Sequence, residues 1–182
     1  IVAIGPRVSG SPGMERQREM VIAHFVAAGG RVTRQSFQIR DRRTGKPVAM
    51  ENVVVEWHPE RTDRIVLGAH YDTRPFPDRD PTNPRGEFVG ANDGASGVAL
   101  LMELAGAMPG IEGAVGVDFV LFDAEEYVFA PRDPYFLGST HFARQYAAGR
   151  KSGDVAHRYR AGLVLDMVAD ADLAIWQEVN SL

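Results

Sequence analysis

The hydrophobic and polar positions of this chain change period several times, which predicts helices interleaved with strands. The first helix is predicted over residues 14–28, starting after Ser11 and Pro12 and stopping at Gly29 and Gly30. One stripe of this helix carries Met20, Val21, His24 and Phe25. The sequence therefore opens with an amphipathic helix.

Three strands are predicted next, at residues 32–39, 52–57 and 65–69, the last being a continuous apolar run of the kind found in buried strands. The sequence RDRRTGKP between the first two predicts a hairpin. Residues 71–90 contain four prolines and little periodicity. They predict a long ordered loop over the end of a strand.

The second half of the sequence keeps the alternation of helices and strands. The predicted elements are a helix at 95–108, a strand at 116–122, a helix at 138–148, a strand at 162–165 and a further strand at 172–177. The fold class predicted is α/β, a three-layer α/β/α sandwich with a mixed, mostly parallel central sheet. Residues 1–182 are expected to form one domain.

Composition narrows the possible functions. The 182 residues are 45% hydrophobic and 24% charged, which is typical of a globular domain, and no apolar run is long enough to span a membrane. The net charge of −4 argues against nucleic acid as a partner. Because the sequence has no cysteine, carboxylate and imidazole groups are the strong metal ligands available.

Histidine and acidic residues follow the apolar runs at points where strands should end, the edge at which open α/β sheets bind ligands. His70 ends the third strand, and Asp72 is placed to accept the second ring proton of a ligating imidazole. A histidine that only caps the strand beside a local acid is the alternative. The other four histidines, which lack nearby acids, are interpreted as structural or surface residues: His24, His58, His141 and His157.

Four more acids complete the pattern. Asp93 precedes a helix, so an N-cap role is an alternative to metal binding. Glu125 and Glu126 follow a buried strand, where adjacent side chains diverge and one is free to bind metal while the other faces substrate; a solvated acidic loop is the alternative. Asp166 lies among apolar residues, which predicts a partly desolvated carboxylate that needs a partner.

The sequence resembles the M28-type zinc exopeptidases and, more closely, the animal-type glutaminyl cyclases and their bacterial relatives. The segments that carry the resemblance are GPRVSGSPG, NVVVEWHP, VLGAHYDTRP, FVGANDGASGVALLMELA, VLFDAEEYVFAPRDPYFLGSTHFA and LVLDMV. It implies an enzyme that acts on peptide or protein N-termini, located outside the cytoplasm. The segment APRDPYFLGS resembles the insertion found in the cyclases and favours that branch, with Phe129 as an aromatic wall for the substrate.

The same resemblance implies roles for the site residues. Asp93 and Glu126 correspond to zinc ligands and Glu125 to the general acid/base. In the two-zinc aminopeptidases His70 and Asp166 each bind one ion and Asp93 bridges them, whereas the cyclases hold one zinc, with Asp166 beside the proton path. A binding module without catalysis is a third hypothesis.

Both branches take a last ligand from a histidine well beyond Asp166, and residues 167–182 contain none. We therefore expect a sequence shortened at its C-terminus, with that histidine after Leu182. The sequence starts at Ile1, without a Met or a signal-peptide pattern. We therefore expect it to be shortened at its N-terminus as well.

Overall fold

The structure is a computed structural model that describes residues 1–174. A five-stranded sheet forms its centre, in the spatial order β1-β2-β4-β3-β5. The elements are α1 (Pro12–Ala27), β1 (Arg31–Arg40), β2 (Pro47–Trp57), β3 (Asp63–His70), α2 (Ser96–Ala105), β4 (Gly116–Phe122), α3 (Leu137–Ser152) and β5 (Arg158–Val164). Short 3-10 turns lie at Val2–Ile4 and Met108–Gly110.

The sheet is mixed, as predicted. Strand β2 pairs antiparallel with both β1 and β4, while β3 pairs parallel with β4 and β5. Four strands therefore run in one direction and β2 alone runs the other way. The hairpin between β1 and β2 explains the reversal, because a short turn joins only antiparallel neighbours.

Helices cover both faces of the sheet. Phe25 of α1 meets Phe119 edge to face, with ring centroids 6.1 Å apart, and α2 adds Val98 and Leu101 to the same core. On the opposite face, Phe142 of α3 meets Phe122 at 5.8 Å. Because side chains at an odd spacing along a strand point to opposite faces, these contacts establish three layers.

The local signals placed most elements correctly. Ser11 caps α1 by accepting the amide hydrogen of Met14, and Pro12 occupies the first turn, where its missing N–H costs nothing. Residues 71–90 form no helix or strand, as predicted. In the predicted strand at 172–177, residues 172–174 are turn and coil and the remainder lies outside the described residues. Within the described part of the protein, no helix is long and apolar enough to cross a membrane.

Candidate functional site

The candidate site lies where the parallel strands β3, β4 and β5 end. His70 is the last residue of β3 and is paired in register with Phe122, the last residue of β4. Three residues beyond Phe122 comes Glu125, and β5 leads to Asp166. The strands thus deliver an imidazole and two carboxylates to one edge of the sheet, the usual position of a ligand site in an open α/β fold.

The imidazole of His70 is surrounded by carboxylates. Its Nε2 atom lies 3.0 Å from Asp93 Oδ1 and 3.4 Å from Asp166 Oδ1, and its Nδ1 atom lies 3.4 Å from Asp72 Oδ1. Although burial lowers the pKa of this ring, the three acids, led by Asp166, hold the pKa of His70 well above its usual range. The surroundings therefore favour a positive charge at this position.

Asp72 links His70 to the loop that follows β4. Its Oδ1 accepts the amide hydrogen of Glu125 at 3.1 Å and its Oδ2 accepts that of Glu126 at 2.9 Å. The carboxylate is fully buried. It orients the ring of His70 and fixes the backbone of both glutamates, so it lies where the sequence predicted a partner of a ligating histidine.

The side chains of Glu125 and Glu126 point to different neighbours. Ligand atoms of His70, Glu125 and Asp166 all lie within 4.8 Å of one another. The carboxylate of Glu126 instead forms an ion pair with Arg74. Burial is the main cause that raises the pKa of Glu125 to about 7, with the nearby acids adding to it, and burial also raises the pKa of Glu126.

Asp93 does not cap the helix that follows it. The N-cap position of α2 is Ala95, where no hydrogen bond from a side chain caps the helix, so the capping alternative does not hold. Gly94 has φ +84°, and a Cβ atom there would lie 2.4 Å from the carbonyl oxygen of Asp72 and 3.1 Å from Cε1 of His70. Only glycine allows the backbone to place Asp93 this close to the imidazole.

The side chain of Asp166 is 46% exposed and lies 3.4 Å from His70, so its carboxylate is partly desolvated and has a partner, as the sequence predicted. Asp166 follows β5, an edge strand of the sheet whose outer side has no neighbouring strand within residues 1–174. The apolar residues that flank Asp166 therefore do not enclose it. Met167, for example, is 53% exposed.

Phe129 lies in the loop after β4, outside the cavity that holds the acids. The guanidinium of Arg43, from the β1–β2 hairpin, sits 3.8 Å from the centroid of its ring, and Tyr127 and Phe76 approach it edge to face. A cavity of 540 Å³ contains Asp93 with other site residues, and Phe129 does not line it. Its predicted role as a substrate wall stays a prediction.

The cation of this site, Arg74, was not predicted from the sequence. Arg74 donates from Nε to Asp78 Oδ1 at 2.6 Å and from Nη2 to the hydroxyl of Tyr135 at 2.9 Å, in addition to its ion pair with Glu126. Its position in the HYDTRP segment, four residues after His70, was an available signal. The guanidinium also partly neutralises the charge of the two carboxylates that it contacts, Asp78 and Glu126.

A second buried acid, Asp123, lies beside Asp72. Asp123 is fully buried and accepts hydrogen bonds from the hydroxyl of Ser9 at 2.6 Å and from the amide of Glu51 at 2.8 Å. Burial is the largest cause that raises the pKa of Asp123 to about 7, and nearby Asp72 adds to it. Arg7 is also fully buried and donates to the carbonyls of Val89 and Gly90, so it fixes the loop just before Asp93.

The residues present fit a zinc ion. One buried imidazole nitrogen and several carboxylate oxygens converge, and these are the nitrogen and oxygen donors that zinc accepts in proteins. The carboxylates that raise the pKa of His70 also favour a divalent cation. Two of the other histidines are held elsewhere: His24 contacts the carbonyl of Met102, and His141 stacks on Phe37.

The fold and the site define a zinc-exopeptidase type of α/β enzyme, and comparison with known proteins identifies the family. The sequence profile of Peptidase family M28 matches residues 52–180, so the chain belongs to this family. Its relatives include enzymes of two activities.

The solved glutaminyl cyclase of Fimbriiglobus ruber is 44% identical to this chain, with a TM-score of 0.85, over 91% of this chain and 57% of that one. A leucine aminopeptidase precursor from Bacteroides thetaiotaomicron is 30% identical with a TM-score of 0.82, over 94% of this chain and 60% of that one. A glutaminyl-peptide cyclotransferase-like protein of Bos taurus is 30% identical over 76% of this chain and 37% of its own length. The chain thus spans less than two thirds of each.

Proposed function

We propose that this chain belongs to a zinc-dependent glutaminyl-peptide cyclotransferase, which converts the N-terminal glutamine of peptides to pyroglutamate and releases ammonia. The observation that carries the proposal is the similarity to several solved bacterial glutaminyl cyclases, at 30–44% identity over 91–94% of this chain. The extracytoplasmic location and the histidine expected after Leu182 stay predictions.

Across the one-zinc cyclase and the two-zinc alternative, the proposed metal donors are His70, Asp93, Glu126 and Asp166, of which the cyclase would use Asp93 and Glu126. Zinc, when bound, supplies a Lewis acid that polarises a carbonyl of the substrate. Asp72 supports the donors by holding the ring of His70 and the backbone of Glu126. A one-zinc site needs Asp93 and Glu126 as ligands, and His70 and Asp166 then serve as hydrogen-bonding neighbours.

Glu125 is the proposed proton carrier. In cyclisation the α-amine nitrogen attacks the γ-carbonyl carbon of glutamine, a new C–N bond forms, and the C–N bond of the glutamine amide breaks to release ammonia. Glu125 takes the proton from the amine and returns it to the leaving nitrogen. A pKa near 7 suits this work, because the group exchanges protons readily in both directions at neutral pH. Asp166, whose carboxylate lies beside Glu125, steadies the proton path by hydrogen bonding.

A two-zinc aminopeptidase is the second candidate, favoured by the similarity to the leucine aminopeptidase precursor. In that reaction Glu125 takes a proton from water, the water oxygen bonds to the carbonyl carbon of the first residue, the peptide C–N bond breaks, and Glu125 gives the proton to the leaving amine. Asp93, 3.0 Å from His70, would hold metal in this enzyme together with His70, Glu126 and Asp166. The same side chains serve both reactions, so the products and the metal content must decide.

The deciding experiment measures zinc per protein molecule and identifies the products of the full-length protein. A peptide with N-terminal glutamine and a matched peptide with N-terminal leucine are incubated with zinc-loaded and chelator-treated protein. The cyclase predicts one zinc per molecule, ammonia from the glutamine peptide and no free amino acid. Two zinc ions and free leucine would establish the aminopeptidase instead, and a protein that binds no zinc would reject both.

A further inference from the structure

Two cavities share one wall beside the candidate site. The first, of 540 Å³, holds Asp93, Glu126 and Asp166, and the second, of 450 Å³, lies between the loop after β3 and the loop after β4. Both volumes fall in the range of about 300–1,000 Å³ that is typical of small-molecule sites. The residues that line both are Arg74, Asp78, Arg79 and Tyr135.

Three of the four shared residues are held together, because Arg74 bonds both Asp78 and Tyr135. Arg74 donates to Asp78 at 2.6 Å and to the Tyr135 hydroxyl at 2.9 Å, and its remaining donors reach Glu126. A guanidinium held by three partners in a planar fork loses little further freedom when a ligand binds. These residues therefore form a border of fixed geometry that the two cavities share.

About half of the lining of the second cavity is apolar, and this half is formed by the loop after β4 together with Phe76. Phe76 and Phe129 face each other edge to face with centroids 6.3 Å apart, and Val128, Ala130 and Pro131 complete the apolar surface. The ring of Phe129 is backed by Arg43, whereas Phe76 is 41% exposed. An exposed aromatic ring at the edge of a preformed cavity is a surface on which another aromatic or apolar group gains energy by packing.

Peptide geometry connects the two cavities. Successive residues of an extended peptide are separated by about 3.3–3.6 Å along its length, and their side chains point to opposite sides. A peptide whose first residue reacts beside Asp93 and Glu126 therefore directs its second side chain away from that cavity. Because Arg74 and Tyr135 line both cavities, an extended peptide that crosses this shared border directs its second side chain towards the 450 Å³ cavity.

We infer that the 450 Å³ cavity is the subsite for the second residue of the substrate, and that it selects aromatic side chains there. The inference rests on the proposed function for the identity of the first residue, glutamine. Phe76 is the specificity-determining residue, since it combines an exposed ring with contact to Phe129. The charged residues of the cavity do not supply the selection: Asp78 is already paired with Arg74, while Arg79 makes no ion pair within residues 1–174.

The test compares three peptide amides, Gln-Phe, Gln-Ala and Gln-Glu, on the full-length, zinc-loaded protein. We expect kcat/KM for Gln-Phe to exceed that for Gln-Ala by about tenfold, the effect of one well-packed aromatic side chain. In Phe76→Ala this ratio should fall towards one. Ala130→Trp, which fills the cavity from an exposed position, should lower the ratio independently.

The control is Ile111→Ala, which removes a 47% exposed apolar side chain that lines neither cavity and should leave the ratio unchanged. A wild-type ratio near one, or a ratio that survives both Phe76→Ala and Ala130→Trp, overturns the subsite. A preference for Gln-Glu would also overturn it, and would assign the selection to the cation of Arg79.

Failure of the proposed function gives a different result. Both ammonia and free amino acids are measured, so hydrolysis in place of cyclisation rejects the cyclase while the ratio of the peptides still tests the subsite. If neither product forms, the affinities of Gln-Phe and Gln-Ala amides are compared by calorimetry. Equal affinities in wild type and Phe76→Ala then reject the subsite, whereas tighter binding of Gln-Phe that depends on Phe76 supports it.

Discussion

The carboxylate of Asp72 accepts the backbone N–H of Glu126 at 2.9 Å, across 54 positions of the sequence. The other oxygen of Asp72 accepts the N–H of Glu125 and contacts Nδ1 of His70. One buried acid thus joins the end of β3 to the loop after β4. The metal donors and the proton carrier therefore share a common support.

Asp72→Asn should weaken zinc binding about 10–100-fold, the usual effect of losing a partner of a metal ligand. An amide side chain offers one acceptor oxygen, so its NH₂ group would face the N–H of Glu125 or of Glu126 without a bond. We also expect a loss of about 1–3 kcal/mol in the free energy of unfolding of the metal-free protein. Zinc titration and urea unfolding measure the two effects.

Asp154→Asn is the matched control, because Asp154 is exposed and bonds only the neighbouring Ser152 side chain. It should leave both measurements unchanged. Wild-type zinc affinity in Asp72→Asn would contradict the support role of Asp72.

Glu125→Gln and Glu126→Gln should separate catalysis from metal binding. Without an ionisable group at 125, turnover should fall by about 10²–10⁴-fold while zinc remains bound, since proton transfer contributes about that much. Glu126→Gln should instead lower zinc affinity, because a neutral amide is a weaker ligand than a carboxylate. Steady-state kinetics and metal analysis of each variant check the division.

The structure also allows the opposite outcome for the two glutamates. Glu125 lies in the cluster with His70 and Asp166, whereas Glu126 is paired with Arg74. If Glu125→Gln loses its zinc and Glu126→Gln retains it, the roles assigned from the resemblance must be exchanged.

Much of the fold could be predicted because local signals and tertiary contacts agree. Ser11, Pro12 and the apolar stripe of α1 specify a helix start, and continuous apolar runs specify buried strands such as β3. The strand order β1-β2-β4-β3-β5 could not be predicted, because it is set by contacts between residues far apart in the sequence. Strand order is a long-range property that periodicity does not encode.

For the candidate site, too, some residues could be predicted from the sequence and others could not. His70, Glu125 and Asp166 could be predicted as one group because strand ends of a parallel sheet meet at one edge, whereas Asp93 lies in the turn before α2 and is brought to His70 by the loop. Arg74 was missed because an arginine in a proline-rich loop is most often solvated, and its burial is created by partners 4, 52 and 61 positions away.

The buried acid Asp123 should make stability fall as pH rises. Burial holds the pKa of Asp123 at about 7 in the folded protein, above the ordinary value of 3.8. The folded state therefore binds this proton more tightly than the unfolded state does, and the stability present below about pH 4 is lost as pH rises through about 7. Asp123→Asn should remove this contribution, so its urea midpoint should decline less between about pH 5 and pH 8 than that of the wild type.

Metal-free protein is used for the pH comparison, and Asp154→Asn controls for the loss of one carboxylate. A decline in Asp123→Asn as steep as in the wild type would show that Asp123 is already ionised at about pH 5 in the folded state.

Gly94→Ala should disrupt the site through one added carbon. The residue has φ +84°, and its Cβ would lie 2.4 Å from the carbonyl oxygen of Asp72 and 3.1 Å from Cε1 of His70. The left-handed conformation alone costs about 1–2 kcal/mol for a residue with a Cβ.

Gly153→Ala measures that cost separately, because Gly153 has φ +89° and nothing within 4 Å of its Cβ position. We expect Gly94→Ala to lose more stability than Gly153→Ala and to weaken zinc binding, since backbone and ring must separate to admit the carbon. Equal losses in the two variants, with zinc affinity intact in both, would show that the approach of Gly94 to His70 does not hold the site together.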